Sequence, residues 1–313
     1  MKKILFFAAI AAMTLSMASC QKEGGVSDNT FKTGTKLIRF GFASSTRAFT
    51  EATADGVQAD ENGFKVAGVL SDNSVSFNEA AKWSAADNFY RTDNDYYYPD
   101  APATISFFAA YPAATEIAVA EGVASIAYTQ NPDTDLIVAK KADVAAQGSS
   151  VALEFDHALS QVAVTCTGKD AGAVYKIKSV TLKGFADGTY TYADGKMVGG
   201  TAMEAADSFF ASEDGEELTS AKQEIGAVRS YIPGLVQVTV NWACYDKTGK
   251  FLAEYTKSTC IDEADPDFED KAIVLSQGDK NTINLTLPNS GVEKITFTIS
   301  VNPWVSKEID REL

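Results

Sequence analysis

The sequence predicts an all-β protein made of two tandem antiparallel β-sandwich domains. Many short segments alternate apolar and polar residues with a period of two, which is typical of half-buried strands. These segments recur at near-regular intervals with turn-forming residues between them, as they do in antiparallel sandwiches. No long stretch keeps the 3.6-residue period of an amphipathic helix, and residues 202–210 are the one short helix candidate.

Length and composition divide the chain into four predicted segments. Residues 1–20 have the pattern of a secretory signal peptide. Residues 21–36 contain Gly, Ser and Lys without an apolar period, and they are expected to form a flexible tether. The remaining length suits two sandwiches rather than one, predicted at residues 37–147 and 148–313. The Gly- and Ser-containing stretch 147–150 is the best linker candidate.

Each predicted strand is an alternating or continuous apolar run bounded by turn residues. In the first domain, strands are expected at 37–42, 64–70, 74–77, 103–111, 123–129 and 135–140. In the second domain, they are expected at 151–156, 161–167, 174–183, 189–193, 196–199, 236–244, 251–257, 272–275, 282–287 and 292–301. Asp194 and Gly195 separate two of these segments and predict a two-residue hairpin turn.

The first strand has an unusual continuation. Ile38, Phe40 and Phe42 share one face, and a short polar loop then leads to a lone Arg47 followed by Ala48. An apolar strand tied to a loop that a protease could cut at a basic residue suggests a removable strand. The alternative is that Arg47 is an ordinary loop arginine. Three other basic residues nearby are poorer cleavage sites, because they lie in the tether or inside the strand: Lys32, Lys36 and Arg39.

The last strand has the right alternation to replace the first. Ile295, Phe297, Ile299 and Val301 share one face, so this segment is a candidate donor strand. The alternative is that it completes the second sandwich, and the sequence leaves both possibilities open.

The signal segment ends in a motif that suggests lipidation. Lys2 and Lys3 precede an apolar run at 4–13, which is too short to span a bilayer. Small residues immediately before Cys20 resemble a bacterial lipobox, although Met17 stands where leucine is usual. The resemblance implies that Cys20 is acylated and becomes the new N-terminus. The alternative is a soluble secreted protein cleaved near Ser19.

Charge and cysteine content exclude several classes of function. The formal net charge is −15, and loss of the two signal lysines makes it more negative, which argues against nucleic-acid binding. With Cys20 lipidated, the odd number of remaining cysteines permits at most one internal disulfide. A Cys244–Cys260 bridge and free thiols both fit the sequence. Cys166 closes an alternating apolar run and is expected to be a small core residue.

Four features together resemble the fimbrillin family of lipoprotein-derived pilins of anaerobic bacteria. They are the lipobox ending at Cys20, the strand–loop–arginine unit at 40–49, the aromatic strand at 96–112, and the junction from Asp135 to Ser160. The resemblance spans nearly the whole chain after the signal segment. It implies an all-β fold of two tandem transthyretin-like, Greek-key sandwiches.

The same resemblance implies a route of assembly and not an enzyme. Family members are exported as lipoproteins to the outer membrane, and an Arg- or Lys-specific protease cuts after the first strand. Their subunits then polymerise by strand exchange into adhesive surface fimbriae, so the expected partners are other pilin subunits. By position, the cut would follow Arg47 and leave Ala48 as the mature N-terminus. Anchor subunits escape this cut, so the resemblance leaves the place in the fibre open.

No catalytic, metal or cofactor site is predicted. His157 is the only histidine, and it continues a buried strand face, so a structural role is expected. There is no nucleophile elbow, phosphate loop or dinucleotide motif. Two acidic stretches have the alternate spacing of a calcium loop but lack its glycine and its closing glutamate: Asn131, Asp133 and Asp135, and Asp265, Asp267 and Glu269.

The alternative function is a monomeric surface lipoprotein that binds glycans or host ligands. Its candidate site is an exposed aromatic patch formed by Trp83, Tyr90 and the tyrosines at 96–98. Aromatic faces suit carbohydrate rings, but core packing explains the same residues equally well.

Overall fold

The computed structural model describes residues 36–42, 54–218, 221–259, 272–289 and 296–303. These residues form strands, turns and one six-residue helix, α1 (Ala54–Ala59), so the all-β prediction is confirmed. Within these ranges, no helical segment has the length and hydropathy that a bilayer span requires.

Most strands lie close to where the alternation predicted them, but it did not predict the strands at Phe89–Thr92, Ala118–Ala120, Asp207–Leu218 and Gln223–Tyr231. Those before residue 158 are β1 (Phe40–Phe42), β2 (Phe64–Leu70), β3 (Val75–Ser84), β4 (Phe89–Thr92), β5 (Ile105–Tyr111), β6 (Ala118–Ala120), β7 (Val123–Thr129), β8 (Ile137–Val144), β9 (Val151–Leu153) and β10 (Phe155–His157). Those after it are β11 (Ser160–Gly168), β12 (Val174–Lys183), β13 (Asp187–Thr191), β14 (Lys196–Gly199), β15 (Asp207–Leu218), β16 (Gln223–Tyr231), β17 (Gly234–Tyr245), β18 (Phe251–Ser258), β19 (Ile273–Leu275), β20 (Asp279–Leu287) and β21 (Thr296–Pro303).

The first sheet has eight strands in the order β10-β8-β5-β2-β3-β4-β1-β9. Its two end strands are neighbours in the chain, because only Glu154 separates β9 from β10. The chain therefore joins the two ends of the sheet around one apolar interior. That interior contains buried side chains from nearly every strand of the sheet, including Phe40, Phe64, Phe107 and Phe155.

A second sheet covers the outside of the first. Its order is β14-β13-β7-β6, so it combines strands from both halves of the sequence. The layer between the two sheets contains Phe108, Ile126, Val138 and Tyr190. Strands β2 and β5 and the first three residues of β8 are consequently buried on both faces, which explains why their sequences are almost continuously apolar.

The rest of the chain forms a two-sheet sandwich. One sheet has the order β16-β11-β20-β21 and the other the order β15-β12-β17-β18, with β19 paired to β17. Alternate residues of these strands face one shared core that includes Val164, Ile177, Trp242 and Ile283. Most pairs are antiparallel, but β1 with β9 and β11 with β20 are parallel.

The helix predicted at 202–210 is wrong. Residues 207–210 begin the long strand β15, which pairs antiparallel with β12 from Leu182 opposite Asp207 to Tyr175 opposite Leu218. The predicted hairpin is present as β13 and β14. Its loop has four residues, and Gly195 at its end takes a left-handed conformation with φ of 66°.

Strand pairing crosses the predicted boundary at residues 147 and 148. β9 and β10 follow that boundary but pair with β1 and β8 of the first sheet, and β13 pairs with β7. Gln130 makes a further link: its Nε2 donates to the Ser230 carbonyl, and its Oε1 accepts from Ile232 N, both at 2.8 Å. The described residues fall in one compact unit, so the division into two domains stays a prediction.

Candidate functional site

The predicted removable strand, β1, lies between two strands of the same sheet. β1 pairs antiparallel with β4, with Phe40 opposite Tyr90, and parallel with β9, with Phe40 opposite Val151. The residues just before it are also held by backbone hydrogen bonds. Ile38 N donates to Tyr96 O at 2.8 Å, and Val151 N donates to Arg39 O at 2.7 Å. The segment is thus an internal strand of the sheet and not an edge.

The apolar face of this strand points into the core. Ile38 and Phe40 are 3% and 1% exposed, and Phe42 is half-buried. The Phe40 ring meets Phe107 edge-on with centroids 5.2 Å apart, and the Phe42 ring stacks on Phe155 at 4.9 Å. One short strand therefore supplies a large part of the packing in the first interior.

Removing the strand would cost the molecule much of this burial. At roughly 1.5–3 kcal/mol for each fully buried apolar side chain, Ile38 and Phe40 account for about 3–6 kcal/mol, and the half-buried Phe42 adds a smaller amount. Backbone groups of β4 and β9 would also lose their partners. A groove left in this state would favour binding of another strand of similar pattern.

The opposite face of the strand carries a cation. The Arg39 guanidinium carbon lies 4.5 Å from the centroid of the Phe89 ring, which belongs to the paired strand β4. Gly41 lies close to β9, because a Cβ atom there would come within 3.3 Å of Ser150 Oγ. Sequence analysis treated Arg39 only as a poor cleavage site and missed this contact, since periodicity carries no information about cross-strand partners.

Three predicted positions lie outside the described residues: Cys20, Arg47 and Ala48. Their lipidation and processing stay predictions.

The candidate donor strand is partly described. β21 pairs antiparallel with β20 along its length, from Thr286 opposite Thr296 to Asp279 opposite Pro303. Ile299 packs against the second core, and Val301 is 49% exposed. Ile295 and the side chain of Phe297 lie outside the described part. In this arrangement the segment completes a sheet of its own chain.

The single histidine is buried and bonded to a carboxylate. His157 is 3% exposed, and its Nδ1 lies 2.6 Å from Asp135 Oδ2. The other oxygen of Asp135 accepts a hydrogen bond from Leu136 N at 2.9 Å. The pair links the end of β10 to the segment before β8, which fits the structural role predicted for His157. Sequence analysis did not predict this partner, because the two residues are distant in the chain.

The first calcium candidate, at residues 131–135, does not form a metal site. Asn131 Oδ1 accepts a hydrogen bond from Asp133 N, and Asp135 is bonded to His157. The second candidate stretch, with Asp265, Asp267 and Glu269, lies outside the described ranges. Within those ranges, no group of three or more His, Cys, Asp or Glu residues is placed to hold a metal ion.

The predicted aromatic patch is largely part of the core. Tyr90 and Tyr98 are 2% and 1% exposed, while Trp83, Tyr96 and Tyr97 are half-buried. Tyr96 stacks on Phe77 with centroids 4.4 Å apart, and its hydroxyl donates to Glu79. These five side chains do not form an exposed platform on which a sugar ring could stack.

The described cysteines are free and buried. Cys166 lies in the second core, where burial and then nearby Glu216 raise the pKa of its thiol to about 12. Burial also raises the pKa of Cys244 above its ordinary value. Cys260 lies outside the described residues, so its state stays open.

One solved structure shares this architecture. A fimbrial protein from Bacteroides vulgatus aligns over 86% of this chain and 100% of its own, with 14% identity and a TM-score of 0.65. At that identity the likeness concerns the fold alone. The fimbrial anchor protein Mfa2 from Porphyromonas gingivalis aligns over 77% of this chain and 88% of its own, with 13% identity and a TM-score of 0.34. The sequence matches none of the curated proteins.

The sequence model of the fimbrillin-like family matches residues 26–304, which is most of the chain. The protein belongs to the fimbrillin-like family.

Proposed function

We propose that this protein is a structural pilin subunit of an adhesive surface fimbria. It is exported as a lipoprotein through acylation of Cys20 and cut after Arg47 by an arginine-specific protease. The cut removes β1, and a strand from another subunit takes its place. Family membership supports the fimbrial role and the location at the cell surface.

The burial of β1 is the observation that carries this proposal. Ile38, two residues before β1, and Phe40, the first residue of this three-residue strand, are nearly inaccessible to water, although they lie near the N-terminal limit of the described chain. A short strand with few ladder bonds is a segment that can be exchanged. Because its side chains fill the core, the gap that it leaves would bind a replacement strongly.

The N-terminus of the surface form tests the processing step. Mass spectrometry of fimbriae shed from cells should find subunits that begin at Ala48. The Arg47→Gln variant should keep its longer N-terminus and should not enter polymers, because β1 would stay in place. Lys36→Gln is the matched control, since it removes an exposed basic residue close to β1 and should be processed normally. Polymers whose subunits keep the lipidated N-terminus at Cys20 would reject the proposal for a fibre subunit.

Removing the Phe40 ring tests the removable strand itself. In the uncut precursor, Phe40→Ala should lower the free energy of unfolding by about 3–5 kcal/mol, because the ring is fully buried. Phe251→Ala is the matched control. Its ring lies on strand β18 and is 54% exposed, so the loss should stay under about 1 kcal/mol.

Urea unfolding before and after processing separates the two states. After the cut, the Phe40→Ala chain should unfold like the wild type, because residue 40 is no longer part of it. An equal deficit before and after the cut would mean that β1 is retained.

A further inference from the structure

Arg39 makes a second kind of contact at the position of β1, in addition to the apolar packing of Ile38 and Phe40. Its guanidinium carbon lies 4.5 Å from the centroid of the Phe89 ring, on the face of the strand opposite to Phe40. A cation over an aromatic face is attracted by the negative potential of the ring. Phe89 is half-buried and belongs to β4, which would remain after β1 leaves.

The charges around this ring are unbalanced without Arg39. Three aspartates lie in the turn between β3 and β4 and just after β4: Asp87, Asp93 and Asp95. Lys82 pairs with Asp93 at 3.2 Å, while Arg91 serves both Asp87 and Asp95, each at 3.2 Å. Three negative side chains therefore share two cations once Arg39 is gone.

Asp87 responds to this cation. Hydrogen bonds from the Ser84 hydroxyl and from Arg91 hold the pKa of Asp87 below its ordinary value, and the charge of Arg39 contributes to the same lowering. Arg39 is therefore close enough to act on the hairpin electrostatically. A strand with a neutral or acidic residue at the position of Arg39 would leave the excess negative charge of the three aspartates uncompensated.

We propose that the groove left by β1 selects an incoming strand with Arg or Lys at the position of Arg39. This inference rests on the strand replacement proposed above and adds a chemical requirement to it. The two flanking positions, those of Ile38 and Phe40, must be apolar because they enter the core. The position of Gly41 favours a small residue because of Ser150. The partner is thus a subunit whose donated strand alternates apolar and polar residues. The basic residue of this strand lies between the two apolar residues that take the positions of Ile38 and Phe40.

A competition experiment on the cut chain tests the selection. A recognition sequence for a specific protease is inserted after residue 47 in the full-length protein, so that the test does not depend on natural processing. After the cut, a fluorescent label on the released N-terminal piece reports its displacement by synthetic peptides of residues 36–42. The peptides carry Arg, Lys, Gln or Glu at position 39, and a Phe40→Ala peptide serves as the control for core binding.

The Arg and Lys peptides should displace the labelled piece at the lowest concentrations. The Gln peptide should be about five-fold weaker, in line with the loss of a cation–π contact. The Glu peptide should be weaker again, by about ten-fold or more, because it adds a like charge near Asp87. The differences should shrink at high salt. In the double variant Phe89→Leu, Asp87→Asn, the Arg and Gln peptides should displace the labelled piece at nearly equal concentrations.

The outcomes separate this inference from the proposed function. If all four peptides displace the piece equally while the Phe40→Ala peptide fails, the groove exchanges strands and the charge selection is refuted. If the Glu peptide binds best, the selection is refuted as well. If no peptide displaces the piece at any concentration, strand replacement itself fails, and the selection fails with it.

Discussion

The burial of Cys166 determines the reactivity of its thiol. It lies on the inward face of β11 with Val162 and Val164, and it is fully buried. Loss of water disfavours the thiolate, so the pKa of the thiol rises from its ordinary value of 9.0 to about 12. The thiol is therefore a poor nucleophile, and its role in this protein is packing.

We expect Cys166 and Cys244 to resist alkylation in the native state. At pH 8, iodoacetamide should leave both unmodified in the folded protein and should modify both in urea, as peptide mass spectrometry can measure. Modification of either residue in the native protein at the unfolded rate would contradict the burial described here.

The same shift predicts a loss of stability at alkaline pH. Because the native thiol holds its proton more tightly than the unfolded one, this contribution is fully present below pH 9.0 and is lost as pH rises towards about 12. The free energy of unfolding should therefore fall over this range. In Cys166→Val, the fall that begins near pH 9 should be smaller, because this group is absent.

At the scale of elements, β2 shows the constraint that burial on both faces imposes. Its side chains alternate between the first interior and the layer below the second sheet, and one position has no room for a side chain at all. A Cβ atom on Gly68 would lie 2.5 Å from Phe77 Cε1 and 3.0 Å from Ile105 Cδ1. The glycine is there because neighbouring strands bring large side chains against the backbone.

Gly68→Ala should lower the free energy of unfolding by about 1–3 kcal/mol through overpacking. Gly148→Ala is the matched control, because nothing lies within 4 Å of its Cβ position and the backbone is exposed. Urea unfolding of the two variants measures the difference. If both variants matched the wild type, the packing around β2 would be looser than described.

Strands with a clear alternation could be predicted from the sequence, whereas β4, β6, β15 and β16 could not. The predicted limits of β2, β7, β12 and β14 coincide with the observed ones, because each has apolar residues that face a core. β15 differs, since it is an edge strand whose residues 212–217 are mostly acidic or exposed. Without an apolar period in that stretch, the preceding alanines and phenylalanines suggested a helix.

At the scale of the whole molecule, the two halves of the sequence are joined by contacts that no local pattern indicates. β9 and β10 return to the first sheet after the predicted linker, and Gln130 bonds two backbone groups at the end of β16. The pairing of β1 with β9 and the two bonds of Gln130 join residues at least 100 positions apart. The sequence could therefore predict most of the strands and the apolar face of β1, but not the contact of Arg39 with Phe89 or of His157 with Asp135.

Gln130→Ala should lower the free energy of unfolding by about 1–3 kcal/mol. The reason is that the backbone carbonyl of Ser230 and the backbone N–H of Ile232, both in buried residues, lose their hydrogen-bond partner. Gln147→Ala is the matched control, since its amide donates long bonds of 3.3 and 3.5 Å to the carbonyls of two exposed residues, Ser149 and Ser150. Unfolding should be measured by fluorescence and by circular dichroism. If Gln130→Ala cost no more than Gln147→Ala, this link would contribute nothing to stability.

The parallel pairing of β1 with β9 also has a mechanical consequence. Among the described residues, β9 has β1 as its only ladder partner, and the two strands run in the same direction. Tension that pulls an occupant of the β1 position along its own axis would load these bonds together in shear, rather than opening them one after another as in a zipper. Detachment under such a load depends on how fast the joint ruptures and not on its equilibrium affinity.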